Sequence, residues 1–155
     1  MTLTLRAEPP DGPASRALWE EYQLLLSERL DAPVADPEHI FASPASFSGP
    51  GSAWLVAYDD DGPVACGGLR RIDERTGEIK RMFVTSRARG RGHARAMLEE
   101  LERLAAAAGQ DRLRLITTDV LGEARALYEA CGYTTVAAPV EGDRQDYVME
   151  KALPS

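Results

Sequence analysis

Cysteine is scarce in this sequence. Cys66 and Cys131, two in 155 residues, lie far apart without a CxxC or Cys/His spacing, which argues against a structural zinc site and against a disulfide framework. Both read as reduced, small apolar fillers. Long apolar runs are missing too: no stretch approaches the roughly 20 residues of a membrane span. The N-terminal MTLTLRAEPPDGP lacks the basic start and apolar core of a secretion signal, so the expectation is a cytoplasmic protein. Positive charge is in deficit, with a formal net charge of −7, which argues against general nucleic-acid binding by phosphate neutralisation. Repeats and low-complexity tracts are absent. The chain therefore reads as one packed domain over 1–155, long enough to bury about two thirds of its unfolded surface.

The charge that is present is unevenly divided. Residues 78 to 95 carry six basic side chains against one acid, and residues 1 to 61 carry three against eleven. Such asymmetry points to one site for a small anion and another for a cation, unless both are simply solvated faces. The basic stretch is centred on FVTSRARGRGHARAMLEEL, residues 83 to 101.

Periodicity gives the frame. Residues 2 to 7 alternate as a short strand, and after Pro9, Pro10, Gly12 and Pro13 a helical face follows with Leu18, Tyr22, Leu25 and Leu26, ending near 31–33. Residues 42 to 52, rich in Ser, Pro and Gly, read as a loop. AWLVAY and PVACGGLRRI form a hairpin across DDDG, and GEIKRMFV continues as the next strand. Met97, Leu98, Leu101, Leu104, Ala105 and Ala108 mark a second helix that starts near Gly92 or His93 and ends at Gly109. RLRLITT is a strand, GEARALYEA a short helix closed by Gly132, and YTTVAA and QDYVMEKAL are the last strands. This order predicts an α/β fold with one mixed sheet.

The glycine turn lies between a strand and a helix. A Walker A loop needs GxxxxGK[ST], which is not here, and a dinucleotide fingerprint needs a small third residue where this chain has Arg95. What remains is a run of backbone N–H groups at a positive helix end, which favours a pyrophosphate, or else an ordinary turn.

RGRGHA, Arg89 to Ala94, resembles the Q/R-x-x-G-x-G/A signature of the GNAT superfamily of acetyl-CoA-dependent N-acetyltransferases. EIKRMFV before it and ALYEACGY after it are similar to that family's flanking pieces. The resemblance implies a bent central mixed sheet, splayed between strands 4 and 5 and flanked by helices. It implies acetyl-CoA as co-substrate with no metal, held by main-chain contacts from Met82, Phe83 and Val84 and from the loop Arg89, Gly90, Arg91, Gly92, His93, Ala94 and Arg95. It also implies Tyr128 as the general acid. The chain departs from the family pattern at Leu121, where an asparagine is frequent, at Ser86, where a proline is, and at His93, where an aliphatic residue is. At that place His93 reads as a helix cap or, more simply, as a passive exposed turn residue.

Amide formation needs an unprotonated amine, a donor for the oxyanion and a proton for the departing thiolate. The Val84 N–H fits the second task. Glu78 is the candidate base, acting directly or through water, with an ion pair to Lys80 or a neighbouring arginine as the alternative. Alternation places Glu78, Lys80, Met82 and Val84 on one face and Ile79, Arg81 and Phe83 on the other. Neither face is purely apolar, which fits a bulge whose position the pattern does not fix. The acceptor is expected to be a cationic small-molecule or peptide amine, entering between the first helix and the 42–52 loop past Glu20, Glu21, Glu28, Asp31, Asp36 and Glu38. A non-catalytic acyl-CoA-binding module and a nucleotide-binding protein are the rival readings, and a homodimer is left open.

Overall fold

The computed structural model describes residues 2–30, 44–118, 122–140 and 146–154. Leu121, Asp31, Asp36, Glu38, the predicted end of the first helix and residues 42–43 of the predicted loop lie outside them. Seven strands form one sheet in the order β1-β2-β3-β4-β5-β7-β6. They are β1 Thr4–Ala7, β2 Ala53–Asp59, β3 Gly62–Arg71, β4 Thr76–Val84, β5 Arg112–Thr118, β6 Thr134–Val140 and β7 Asp146–Ala152. Three α-helices flank the sheet among the described residues: α1 Pro13–Leu30, α2 His93–Ala107 and α3 Gly122–Ala130. Each predicted strand and helix is found within about two residues of its expected bounds, apart from the end of the first helix, which falls outside the described residues.

Each face of the sheet has its own core. On one face Leu69, Ile79, Leu113, Leu115 and Met149 pack against Met97, Leu98, Leu101 and Ala105 of α2 and Tyr128 of α3. On the other face Trp54, Val56, Cys66 and Phe83 pack against Leu18, Tyr22 and Leu25 of α1 and against Phe47, which a 3-10 turn at Pro44–Phe47 delivers. That turn lies inside the segment expected to be plain loop. The Trp54 indole N–H donates to Ser15 Oγ at 2.8 Å and fastens α1 to β2. Gly68 of β3 is required by close approach, since a Cβ there would collide with the Phe47 and Trp54 rings.

Neighbouring strands run antiparallel except β4 and β5. This parallel pair meets only at Thr76–Arg112, Gly77–Leu113 and Glu78–Arg114 before the strands part, whereas β5 and β7 stay paired over seven positions. The sheet is thus splayed where the resemblance implied. Between Cys66–Phe83 and Gly68–Lys80 the register slips by one extra residue in β4, and Arg81 there has φ +60°. This is the bulge, and it corrects the expected facing. Ile79, Met82 and Val84 share the α2 side, while Phe83 belongs to the α1 side, so Glu78 and Lys80 do not share a face with Met82 and Val84. The Arg81 guanidinium spreads over the Trp19 ring at 4.6 Å.

Candidate active site

The splay opens into a cavity of about 310 Å³ between the ends of β4, α1, α2 and α3. Met82, Phe83 and Val84 form its floor. Arg89, Gly90, Gly92, His93, Ala94 and Arg95 form one wall. Ala124, Leu127 and Tyr128, at i, i+3 and i+4 on one face of α3, form a second, and Tyr22 and Leu25 of α1 close the third. The structure thus brings together most of the residues singled out from the sequence, while Arg91 and Glu78 are not among the lining residues. Tyr22 and Leu25 were legible only as a helix's apolar face; nothing in the pattern marked them as cavity wall.

Backbone direction at the floor follows from the ladder. The Thr85 N–H donates to Val64 O at 2.8 Å, and Val84 pairs with Ala65 in the next rung. Alternation of bonded and non-bonded pairs then turns the Val84 N–H away from β3, toward the side from which β5 has diverged. A hydrogen-bond donor therefore points into the splay.

The turn after β4 is braced from behind. The Glu21 carboxylate of α1 accepts from the Thr85 hydroxyl at 2.5 Å and the Ser86 N–H at 3.0 Å, capping the short 3-10 turn Ser86–Ala88. Arg87 grips Asp59 with two bonds of 3.1 and 3.3 Å, and Asp59, whose side chain is fully enclosed, also accepts the Asp61 N–H. The Arg87 bonds hold the Asp59 carboxyl below its ordinary range. Arg87 is thereby directed to the β2–β3 hairpin, and Glu21 is not a free charge for an acceptor. Sequence gave no signal for either contact, which join residues 64 and 28 positions apart.

Gly90 and Gly92 have φ of +78° and +80°, and an added Cβ at either would meet nothing within 4 Å. Left-handed backbone, not crowding, selects glycine here, and the space above the loop stays open. Gly92 is the N-cap of α2 and supplies no side-chain cap, and no acid occupies the first turn. The first N–H groups of α2 therefore face the cavity mouth without intrahelical partners, beside Arg89 and Arg95. His93, the first residue of α2, is buried at 7% exposure. This corrects the expectation of an exposed turn residue: the side chain is enclosed at the start of α2.

Tyr128 is 8% exposed, with its ring edge-on to Tyr133 at 6.0 Å. Burial raises its phenol pKa above the ordinary value, so the hydroxyl keeps its proton at any working pH. Glu78 has a different setting. One carboxylate oxygen accepts from Arg70 at 2.9 Å and the other from Arg114 at 3.0 Å, with Lys80 at 3.8 Å, and its side chain is 4% exposed. Among the described residues no group of His, Cys, Asp and Glu is arranged to hold a metal, and no helix is long and apolar enough to cross a membrane.

Residues 14–133 match the family model of the acetyltransferase (GNAT) family, and the chain belongs to that family. GNAT acetyltransferases use acetyl-CoA as co-substrate. The chain is 33% identical over 155 residues to an IAA acetyltransferase of Azospirillum brasilense, covering 97% of this chain and 98% of that protein. It is 40% identical over 89 residues to a mycothiol acetyltransferase of Beutenbergia cavernae, which is 57% of this chain but only 30% of that longer relative. A solved acetyltransferase structure from Streptococcus agalactiae superposes with a TM-score of 0.78 at 20% identity, over 97% of this chain and 98% of that one, a likeness of fold.

Proposed function

We propose that the protein transfers the acetyl group of acetyl-CoA directly to a primary amine of a small molecule or peptide, with the whole of 1–155 acting as one acetyltransferase domain. The observation that carries this reading is the convergence of three features in one cavity: an open glycine turn at a helix start, the Val84 N–H aimed into the splay, and the Tyr128 phenol on the opposite wall. The turn and the α2 N-terminus hold the pyrophosphate, and the floor of β4 holds the pantetheine arm. The amine lone pair attacks the thioester carbon, and the oxyanion that forms is held by the Val84 N–H. The carbon–sulfur bond then breaks, the thiolate takes its proton from Tyr128, the amine nitrogen loses one to solvent, and solvent returns one to the phenolate. Both substrates share one cavity, so no acyl-enzyme is required. Release of free thiol from acetyl-CoA over a panel of amines tests the assignment; coenzyme binding without turnover on any amine would favour a binding module instead.

Glu78 serves best as an ion-pair hub joining β3, β4 and β5. Both of its oxygens are engaged by guanidinium groups, and it lies off the cavity lining. A Glu78→Gln variant is expected to lose about 1–3 kcal/mol of stability, read by denaturant unfolding, because a charge-assisted network is halved. Its pH–rate profile is expected to match the wild type. A profile whose acidic limb moves or disappears would instead give Glu78 the role of base for the acceptor ammonium.

The acceptor is proposed to be cationic. Glu20 and Glu28 are exposed on α1, the helix that carries Tyr22 and Leu25 to the cavity. Rising ionic strength is then expected to raise the KM of a cationic amine, beyond any effect on acetyl-CoA. A KM that stays flat with salt, or a preference for neutral acceptors, would remove this part of the reading.

A further inference from the structure

The α1 wall of the cavity is a fixed aromatic surface. Tyr22 and Leu25 stand one turn apart on the same face of α1, about 4.5 Å along its axis, and both line the cavity. The Tyr22 ring is held from two sides: it stacks on Trp19 at 4.4 Å and meets Phe83 of the floor in a T-shaped contact at 5.4 Å. Trp19 is in turn buried and covered by the Arg81 guanidinium. Tyr22 itself is only partly buried, so its open surface is presented to whatever fills the cavity. A ring already fixed by its neighbours loses little freedom when a ligand packs on it.

The charges of the cavity lie elsewhere. Arg89, His93 and Arg95 belong to the turn and the start of α2, and among the described residues no Asp or Glu lines the cavity. In the reading above the coenzyme takes the turn and the floor, and Tyr128 on α3 meets its sulfur, which leaves the α1 wall to the acceptor. A second ammonium on that acceptor would have to shed water against Tyr22 and Leu25 with no carboxylate to receive it. An aromatic ring in the same place would exchange water for ring and aliphatic contacts.

We infer that the acceptor is a small amine carried on an aromatic body, an arylalkylamine, and that Tyr22 is the residue that selects it. This rests on the acetyltransferase reading above and names the acceptor class within it. The exposed acids of α1 draw the ammonium in from solution, and the aromatic wall discriminates by what the nitrogen is attached to. With the nitrogen at the thioester, between Val84 and Tyr128, the ring of the acceptor lies along Tyr22 and Leu25. A polyamine or a lysine side chain brings the same charge at the nitrogen but no ring for this surface.

Thiol release from acetyl-CoA, measured with phenethylamine, butylamine and putrescine on the wild type, Tyr22→Leu and Tyr22→Phe, tests this. In the wild type, kcat/KM for phenethylamine is expected to exceed that for butylamine by about 10- to 100-fold, the worth of burying one ring, with putrescine the poorest of the three. Tyr22→Leu keeps an apolar side chain but no ring, and is expected to cut the phenethylamine-to-butylamine ratio at least about fivefold. Its affinity for coenzyme A, read by calorimetry, should stay within about twofold of the wild type, which also reports that the variant is folded. Tyr22→Phe keeps the ring and should keep the ratio. A wild type that prefers butylamine or putrescine, or a Leu variant whose ratio stays within about twofold of the wild type, overturns the inference. Coenzyme binding without thiol release on any amine of a broad panel would overturn the acetyltransferase reading instead.

Discussion

A Gly92→Glu protein is expected to fold normally and to bind coenzyme A at least about 100-fold more weakly, a loss of about 2.7 kcal/mol or more. The backbone at Gly92 lies at φ +80°, so a side chain there costs about 1–2 kcal/mol of strain, but the added Cβ meets nothing within 4 Å and no packing is disrupted. The carboxylate would lie at the positive end of α2, where its charge partly offsets the strain by favouring the helix start. That same placement makes the new acid a built-in competitor for the N–H groups that the pyrophosphate needs, and it repels the phosphates directly. Calorimetry and thermal unfolding on one preparation separate the two effects. Unchanged affinity in the variant would place the coenzyme somewhere other than the glycine turn.

Replacing Tyr128 by phenylalanine is expected to lower kcat by about 10- to 1000-fold with little change in coenzyme affinity. The ring would remain: it is 8% exposed, edge-on to Tyr133, and packs in the α2-side core, so losing one oxygen leaves the fold and the cavity shape intact. Only the proton for the leaving thiolate is removed. The sign of its pH behaviour follows from burial. The raised phenol pKa means that the wild-type donor is protonated below that value, so the deficit of the Phe variant should be constant from about pH 6 to about pH 9. Full activity in the Phe variant would confine Tyr128 to packing.

Most strands and helices were legible from their apolar spacing and from the turn residues between them, and the glycine turn from two glycines beside clustered arginines. Three features were not. The Arg81 bulge adds one residue to β4, and a mixed pattern such as EIKRMFV is compatible with either phase, so the sequence requires an irregularity without locating it. The burial of His93 goes against what a polar residue in a glycine turn suggests. The braces Glu21–Thr85 and Asp59–Arg87 join elements far apart in sequence, and ordinary charged residues carry no mark of such partners. What stayed hidden was the support of the site and the α1 part of its lining, Tyr22 and Leu25.

The bulge also gives β4 two reading frames. Up to Lys80, positions of one parity feed the α2 core; beyond Arg81 the opposite parity does, since Ile79 and then Met82 and Val84 reach the same side. Deleting Arg81 would restore a single frame with Ile79, Met82 and Val84 still on the α2 side and Phe83 still on the α1 side, so the added residue sets the local bend and twist of β4 rather than which side chains meet which core. Arg81, half-buried and stacked on Trp19, occupies the place of the added residue, so its contribution is first of all a count and only then a side chain.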